Sequence, residues 1–442
     1  MGYFDELRER ESSFYRRLWD EIREITVIDT HEHFDMMDEW IRKAKSKDPA
    51  NPRIEIPDIF DRSYIHIGHQ GSYDDWASEL RRHRGTGYLR AWMIAMEDLY
   101  GLDAQPITAD YLREMEDCIN QAYAEDLDNN TYNHLESVLS DEMHVERAIL
   151  NVGLEQHKKQ PQPICQAAAG IPSILEGIVV PKTPGGNVVY NYAVNFLDMN
   201  LEDIKTLDDY CDLTIKLLKH CRDSGYVCMK MQIAYKRPLS FPEPPDDESE
   251  IEKLFNKPPE NEKQLWKFGD YMMHFVLEWT SLYWRVPLQL HTGLGRMYNA
   301  ASDAIKLSHL LMKFPDVTFD LFHGNYPYNN LAGMLHQIPN VTADLCWLPA
   351  ISPTAAQRTL TELLEVGDMV STWPNHVPST RTSLYGGDSG IVEGSYGALQ
   401  IAKDVLIRSL EDLHKRGHIM SEDAYDLAKR VLYDNPKRIF GF

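Results

Sequence analysis

The sequence has no C-x-x-C pair. Its six cysteines (Cys118, Cys165, Cys211, Cys221, Cys228 and Cys346) are scattered, which excludes a zinc ribbon or a thioredoxin-type centre and suits a reducing cytosol. It lacks a basic excess: the formal net charge is -23 over 442 residues. A surface of that sign repels phosphates and anionic lipid, so neither nucleic acid nor a membrane is expected as a partner. No apolar run reaches transmembrane length. The charged start, Met1-Gly2-Tyr3-Phe4-Asp5-Glu6, has no signal-peptide core, and Glu6 breaks a myristoylation pattern. No repeat of solenoid length is found. A glycine-rich phosphate loop after the first strand is also missing, which counts against a doubly wound nucleotide-binding sheet.

What is present is ordinary globular composition, 43% hydrophobic and 26% charged, with a regular rhythm. An N-terminal helix over about Phe4–Glu24 leads into a strand at Val27-Ile28-Asp29-Thr30. A long Trp-, Tyr- and Met-rich stretch follows, with helical spacing at Gly87–Tyr100 and Ala109–Ala124. It is too long for a structureless loop and reads as a helical insertion over about 34–144. Strands are then expected at 145–152, 174–180, 227–234, 286–290, 317–322, 341–345 and 383–387. Helices are expected at 201–224, 264–284, 300–313, 328–336, 354–366, 395–415 and 421–433. Pro- and acid-rich residues 238–259 read as an exposed loop or lid. Eight strands alternating with helices predict one parallel α/β unit, 1–442: a distorted (β/α)₈ barrel with a helical insertion after strand one.

In such a barrel the chemistry gathers at the C-terminal ends of the strands. Strand one ends in His31-Glu32-His33. Residues i and i+2 of a strand share a face, about 7 Å apart, which suits two imidazoles on one metal ion. Strand four carries Lys230 in an apolar run, strand five ends at His291, strand six at His323 and strand eight at Asp388. Any single one of these has an ordinary explanation: a core histidine, a salt-bridged lysine, a helix N-cap. Independent ordinary explanations at every strand end are much harder to sustain. Imidazoles plus a carboxylate suit a divalent ion, zinc first and manganese second. Such an ion acidifies a bound water, and Asp388 is placed to take its proton. Arg296, Tyr235 and Arg237 are candidate substrate contacts from the loops, with Trp347 as a stacking surface. His66 and His69 are the other histidines of interest.

His31-x-His33, His291, His323 and Asp388 together resemble the metal-dependent amidohydrolase superfamily. The closing segment Asp434-Asn435-Pro436-Lys437-Arg438-Ile439-Phe440-Gly441 is similar to that of its amidohydrolase-related branch. That branch holds uronate isomerase-like proteins, metal-dependent decarboxylases and domains fused to glutamine synthetase-like modules. Lys230-x-x-x-x-Tyr235-Lys236-Arg237 looks most like the last group. The resemblance implies His31, His33 and Asp388 as metal ligands. It makes His291 a ligand or substrate contact, and His323 a second-metal ligand or a group behind the ligands. One ion is expected, or two if Lys230 is carboxylated and bridges them. The implied protein is a cytoplasmic, self-associating hydrolase of a small anionic or cyclic organic substrate. The alternative on the same site is a decarboxylase or uronate isomerase-like enzyme, and a retired barrel kept for interaction is the non-enzymatic reading.

Overall fold

A computed structural model describes residues 9–47, 52–61, 64–65, 71–102, 106–151, 153–178, 187–257, 259–366 and 381–442. Eight parallel strands run in sequential order around one sheet: β1 (Val27–Glu32), β2 (Val145–Leu150), β3 (Cys165–Gly170), β4 (Cys228–Met231), β5 (Leu288–His291), β6 (Phe319–Phe322), β7 (Val341–Asp344) and β8 (Thr382–Ser383). Beyond β8 the chain returns to β1. Thr30 N–H donates to Tyr385 O at 3.1 Å, and Asp388 N–H to His31 O at 2.9 Å. This seam closes the (β/α)₈ barrel. It requires Gly386 and Gly387, because a Cβ at Gly386 would lie 2.7 Å from Thr30 Oγ1 and one at Gly387 2.1 Å from Glu32 Oε1.

Helices Met37–Lys47, Ile56–Asp61, Tyr73–Arg82, Gly87–Tyr100, Ala109–Ala122, Ala124–Asn129 and Asn133–Ser137 lie between β1 and β2. Helix Gly87–Tyr100 packs against the long helix Val392–Lys415, which also meets Ser13–Ile22. Val392–Lys415 is therefore covered on several sides, and its buried residues extend beyond a single stripe. At the other end of the barrel, Ile439 and Phe440 of the C-terminal helix pack on Ile149, Ala168 and Cys228. Among the described residues, no helix is long and apolar enough to cross a membrane. The six cysteines are unpaired.

Several boundaries differ from the sequence expectation. The third strand is Cys165–Gly170, not 174–180. Its three alanines and terminal glycine carry little β signal, while residues 174–176 of the expected strand belong to a 3₁₀ turn, Pro172–Glu176, opened by proline, and 179–180 lie outside the described residues. The helix expected from Leu201 starts at Leu207, where Thr206 and Asp209 form a capping box. The loop at 238–259 contains a helix, Ser249–Asn256. The last helix continues past 433 through a π-turn into Asn435–Phe440.

Candidate metal centre

The closing seam brings β1 and the end of β8 together. His31 Nε2 lies 3.1 Å from His33 Nε2. Asp388 Oδ1 lies 3.7 Å from the first and 3.1 Å from the second. All three ligand atoms fall within 4.8 Å of one another. Glu32, the middle residue of His-Glu-His, anchors the arrangement. It accepts a hydrogen bond from Ser389 N–H at 2.8 Å and another from the Ser395 hydroxyl. His33 N–H donates to Ser389 O at 3.0 Å. A buried carboxylate thus ties the segment carrying Asp388 to the strand carrying the two histidines, a positioning role the sequence reading did not assign.

Protonation states suit metal binding. Burial, helped by Lys230 and His33, holds the His31 imidazole well below its usual pKa, so it is neutral and free to ligate. Burial pushes the Asp388 carboxyl upward. The His33 hydrogen bond, with the surrounding imidazoles, outweighs this and holds it well below the carboxylate range. Asp388 is an anion facing the neutral imidazole of His31.

His291 and His323 form a second layer. His323 Nε2 and His291 Nδ1 are 2.9 Å apart, and His323 Nδ1 is 2.9 Å from Cys346 O. That carbonyl accepts only from an N–H, so Nδ1 carries the proton and Nε2 accepts from His291. Burial lowers the His323 pKa to about 4. His323, Cys346 and Asp388 also lie within 4.8 Å of one another. Burial raises the Cys346 thiol well above its usual pKa, so it is a protonated neighbour.

Lys230 sits inside the barrel. Its Nζ stands 3.4 Å above the Phe322 ring and has no hydrogen-bond partner. Its electrostatic neighbours include Asp388, His31, His291 and His323. In register beside it, Gln289 and Asp320 are buried on β5 and β6.

The remaining candidates divide. Tyr235 packs against His291 with the rings tilted by 49° and centroids 4.5 Å apart. Trp347 meets His323 edge-on at 5.2 Å. The two arginines are committed elsewhere. Arg237 is buried, paired with Asp270, and donates to Trp266 O at 2.9 Å and Ser240 O at 2.8 Å. Arg296 donates to Lys236 O at 3.0 Å, pairs with Glu262 at 3.3 Å and covers the Trp266 ring. Their guanidinium groups are tied to the helix Glu262–Tyr283 and its flank. His66 and His69 lie outside the described residues. A residue that sequence reasoning missed is Tyr64, whose hydroxyl donates to Asp388 Oδ1 at 3.2 Å across 324 positions. Tyr64, His323, Trp347 and Asp388 all have φ between 52° and 66°. Positive φ on bulky side chains is costly and gathers at functional sites.

The chain aligns along 97% of its length with 98% of the uronate isomerase of Thermotoga maritima, at TM-score 0.68 and 16% identity. It aligns over 97% with 94% of glucuronate isomerase from Caulobacter crescentus, at TM-score 0.72 and 14% identity. The fold is that of the uronate isomerases. A Lactobacillus casei protein described as a metal-dependent hydrolase has it too, covering 96% of this chain and 97% of its own, at TM-score 0.61 and 16% identity. Protein fluG of Emericella nidulans is 33% identical over 158 residues, which are 35% of this chain and 17% of fluG. No protein-family model matches the sequence. In this chain the barrel seam puts the ends of β1 and β8 side by side, and those ends carry His31, His33 and Asp388.

Proposed function

We propose that this chain is a metal-dependent enzyme of the amidohydrolase superfamily. It acts on a small organic acid through one divalent ion held by His31, His33 and Asp388. The observation that carries this reading is the convergence of two imidazole nitrogens and one ionised carboxylate oxygen within 4.8 Å. Two nitrogens and one oxygen suit zinc first and manganese second, with positions left open for substrate and water. A second ion would need Lys230 as a bridging carbamate. Its Nζ lies against Phe322 instead, which favours one ion.

When bound, the ion polarises a substrate oxygen and acidifies a water. Asp388, held as the anion, accepts the proton released at the attacking oxygen. His291 Nδ1–H is spent on His323 Nε2 at 2.9 Å, which leaves His291 Nε2, without a hydrogen-bond partner, as an acceptor for a substrate hydroxyl. Hydrolysis is the reaction this arrangement serves first. Isomerisation is the second reading, favoured by the near full-length likeness to two uronate isomerases. There the same groups would move a proton between substrate carbons without water attack.

Elemental analysis of full-length protein purified without chelator tests the centre. One zinc or manganese per chain is expected, falling several-fold in His33→Ala with the fold intact by circular dichroism. Folded wild type that takes up neither metal overturns the reading. Solvent ¹⁸O in the product marks hydrolysis, and solvent deuterium at carbon without ¹⁸O marks isomerisation.

A further inference from the structure

The centre built on His31 and His33 leaves a neighbouring thiol unused. A ring nitrogen of His323, the Cys346 sulfur and a carboxylate oxygen of Asp388 lie within 4.8 Å of one another. All three residues are buried, and each follows a different strand: β6, β7 and β8. Cys346 is held at two points. Its N–H donates to Asp344 Oδ1 at 2.7 Å, and its carbonyl accepts from His323 Nδ1–H at 2.9 Å. The residue that offers the sulfur therefore also aims the imidazole, whose remaining lone pair is on Nε2. Across from the sulfur stands Gly386, where a Cβ would lie 2.8 Å from Cys346 Sγ. Its missing side chain makes room for the sulfur as well as for the seam.

The way in is short. The His33 side chain is 32% exposed, and its Nε2 lies 3.1 Å from Asp388 Oδ1. Asp388 belongs to both ligand sets, so an ion that arrives at His33 meets the sulfur's set one carboxylate further in. The two sets differ in softness. His31, His33 and Asp388 offer two nitrogens and an oxygen. His323, Cys346 and Asp388 offer nitrogen, sulfur and oxygen, and a thiolate prefers soft ions such as zinc and cadmium to manganese. Without an ion the thiol keeps its proton. On binding, the metal–sulfur bond forms as the S–H bond breaks, and the proton leaves to solvent. The ion likewise replaces the His291 N–H as the partner of the His323 lone pair. Lys230, lying against Phe322, is not placed to bridge two ions as a carbamate. The two sets are therefore alternative seats for one ion.

We propose that Cys346, with His323 and Asp388, forms a second, thiophilic metal seat, which takes a soft divalent ion in place of the ion held at His31 and His33. The proposal shares Asp388 with the metal-centre reading, and its test reads the sulfur alone.

The test is ultraviolet difference spectroscopy of full-length protein stripped of metal by chelator and titrated with cadmium. Bound cadmium is counted on the same samples. A cadmium–thiolate bond adds a charge-transfer band that nitrogen and oxygen ligands do not give. One cadmium per chain is expected, with the band of a single thiolate. Cys346→Ser should abolish the band while a cadmium stays at His31, His33 and Asp388. Cys346→Ala, which brings no hydroxyl to satisfy, serves if the serine variant does not fold. Cys228→Ser, at the other end of the barrel, should keep the band, and so should His33→Ala. Cadmium bound to wild type without the band overturns the proposal. So does a band that survives in folded Cys346→Ser or Cys346→Ala, a count of two cadmium ions per chain, or no cadmium bound. Zinc retained by wild type with no cadmium band removes this seat and leaves the metal centre standing. A Cys346-dependent band in protein that takes up neither zinc nor manganese does the reverse.

Discussion

Arg237 offers a sharp test, because a substrate-binding arginine and a structural one fail differently. The pair Arg237–Asp270 has side-chain exposures of 5% and 9%. Burial drives both partners towards their neutral forms: it pushes Asp270 up to about 6, against the pull of Arg237, and lowers Arg237 itself. The step from the ordinary carboxylate value of 3.8 to about 6 corresponds to about 3 kcal/mol of disfavoured ionisation. The folded chain keeps a proton that the unfolded chain releases between those values. Stability from this group therefore falls as pH rises from 3.8 to 6 and stays low above it. Desolvation of the pair outweighs its attraction, the usual condition of a buried ion pair. Arg237→Met at pH 7 leaves Asp270 buried without its cation, and the carbonyls of Trp266 and Ser240 without their donor. A loss of about 3–5 kcal/mol is expected, shrinking as pH approaches 5 and Asp270 takes up its proton. Arg237→Met with Asp270→Leu removes both charges and should return to within about 1 kcal/mol of wild type or exceed it. Urea denaturation followed by tryptophan fluorescence at pH 7 and pH 5 reads all three proteins. An unchanged urea midpoint in Arg237→Met, with a raised KM for the acid substrate, would show that Arg237 serves the ligand and refute this reasoning.

Two further outcomes follow from the same packing. Gly387→Ala puts a Cβ 2.1 Å from Glu32 Oε1 and 2.6 Å from Ser395 Oγ; a loss of about 1–3 kcal/mol is expected, with weaker zinc retention in chelator competition as Asp388 is pushed from the histidines. Lys403 is buried, donates to Arg23 O at 3.0 Å, and is lowered by burial to about 8. Stability from this lysine rises as pH climbs from 8 to 10.5, so Lys403→Met should raise Tm at pH 7 by removing a penalty larger than one hydrogen bond. That advantage should fade towards pH 10, and a Tm below wild type at pH 7 would contradict it.

The barrel was legible because its signals are local. Apolar runs ending in His or Asp mark β1, β5 and β6, and these strands lie within a residue or two of where the pattern put them. β3 was misplaced because Ala167, Ala168 and Ala169 pack closely between neighbours without the branched side chains that announce a strand. β8 shrank to Thr382–Ser383 because Gly386 and Gly387 close the seam through β1 rather than extend the β7 ladder.

By itself the sequence determined the alternation of strands and helices and the residue types at the strand ends, since hydrophobic period and strand direction are properties of short segments. Tertiary structure decided everything that joins distant segments. It set Tyr64 on Asp388 across 324 positions and anchored that loop through Glu32. It turned Arg237 away to Asp270 and set Cys346 beside His323 and Asp388. A side chain's partner is fixed by which loops the closed barrel brings together, and no local pattern carries that information.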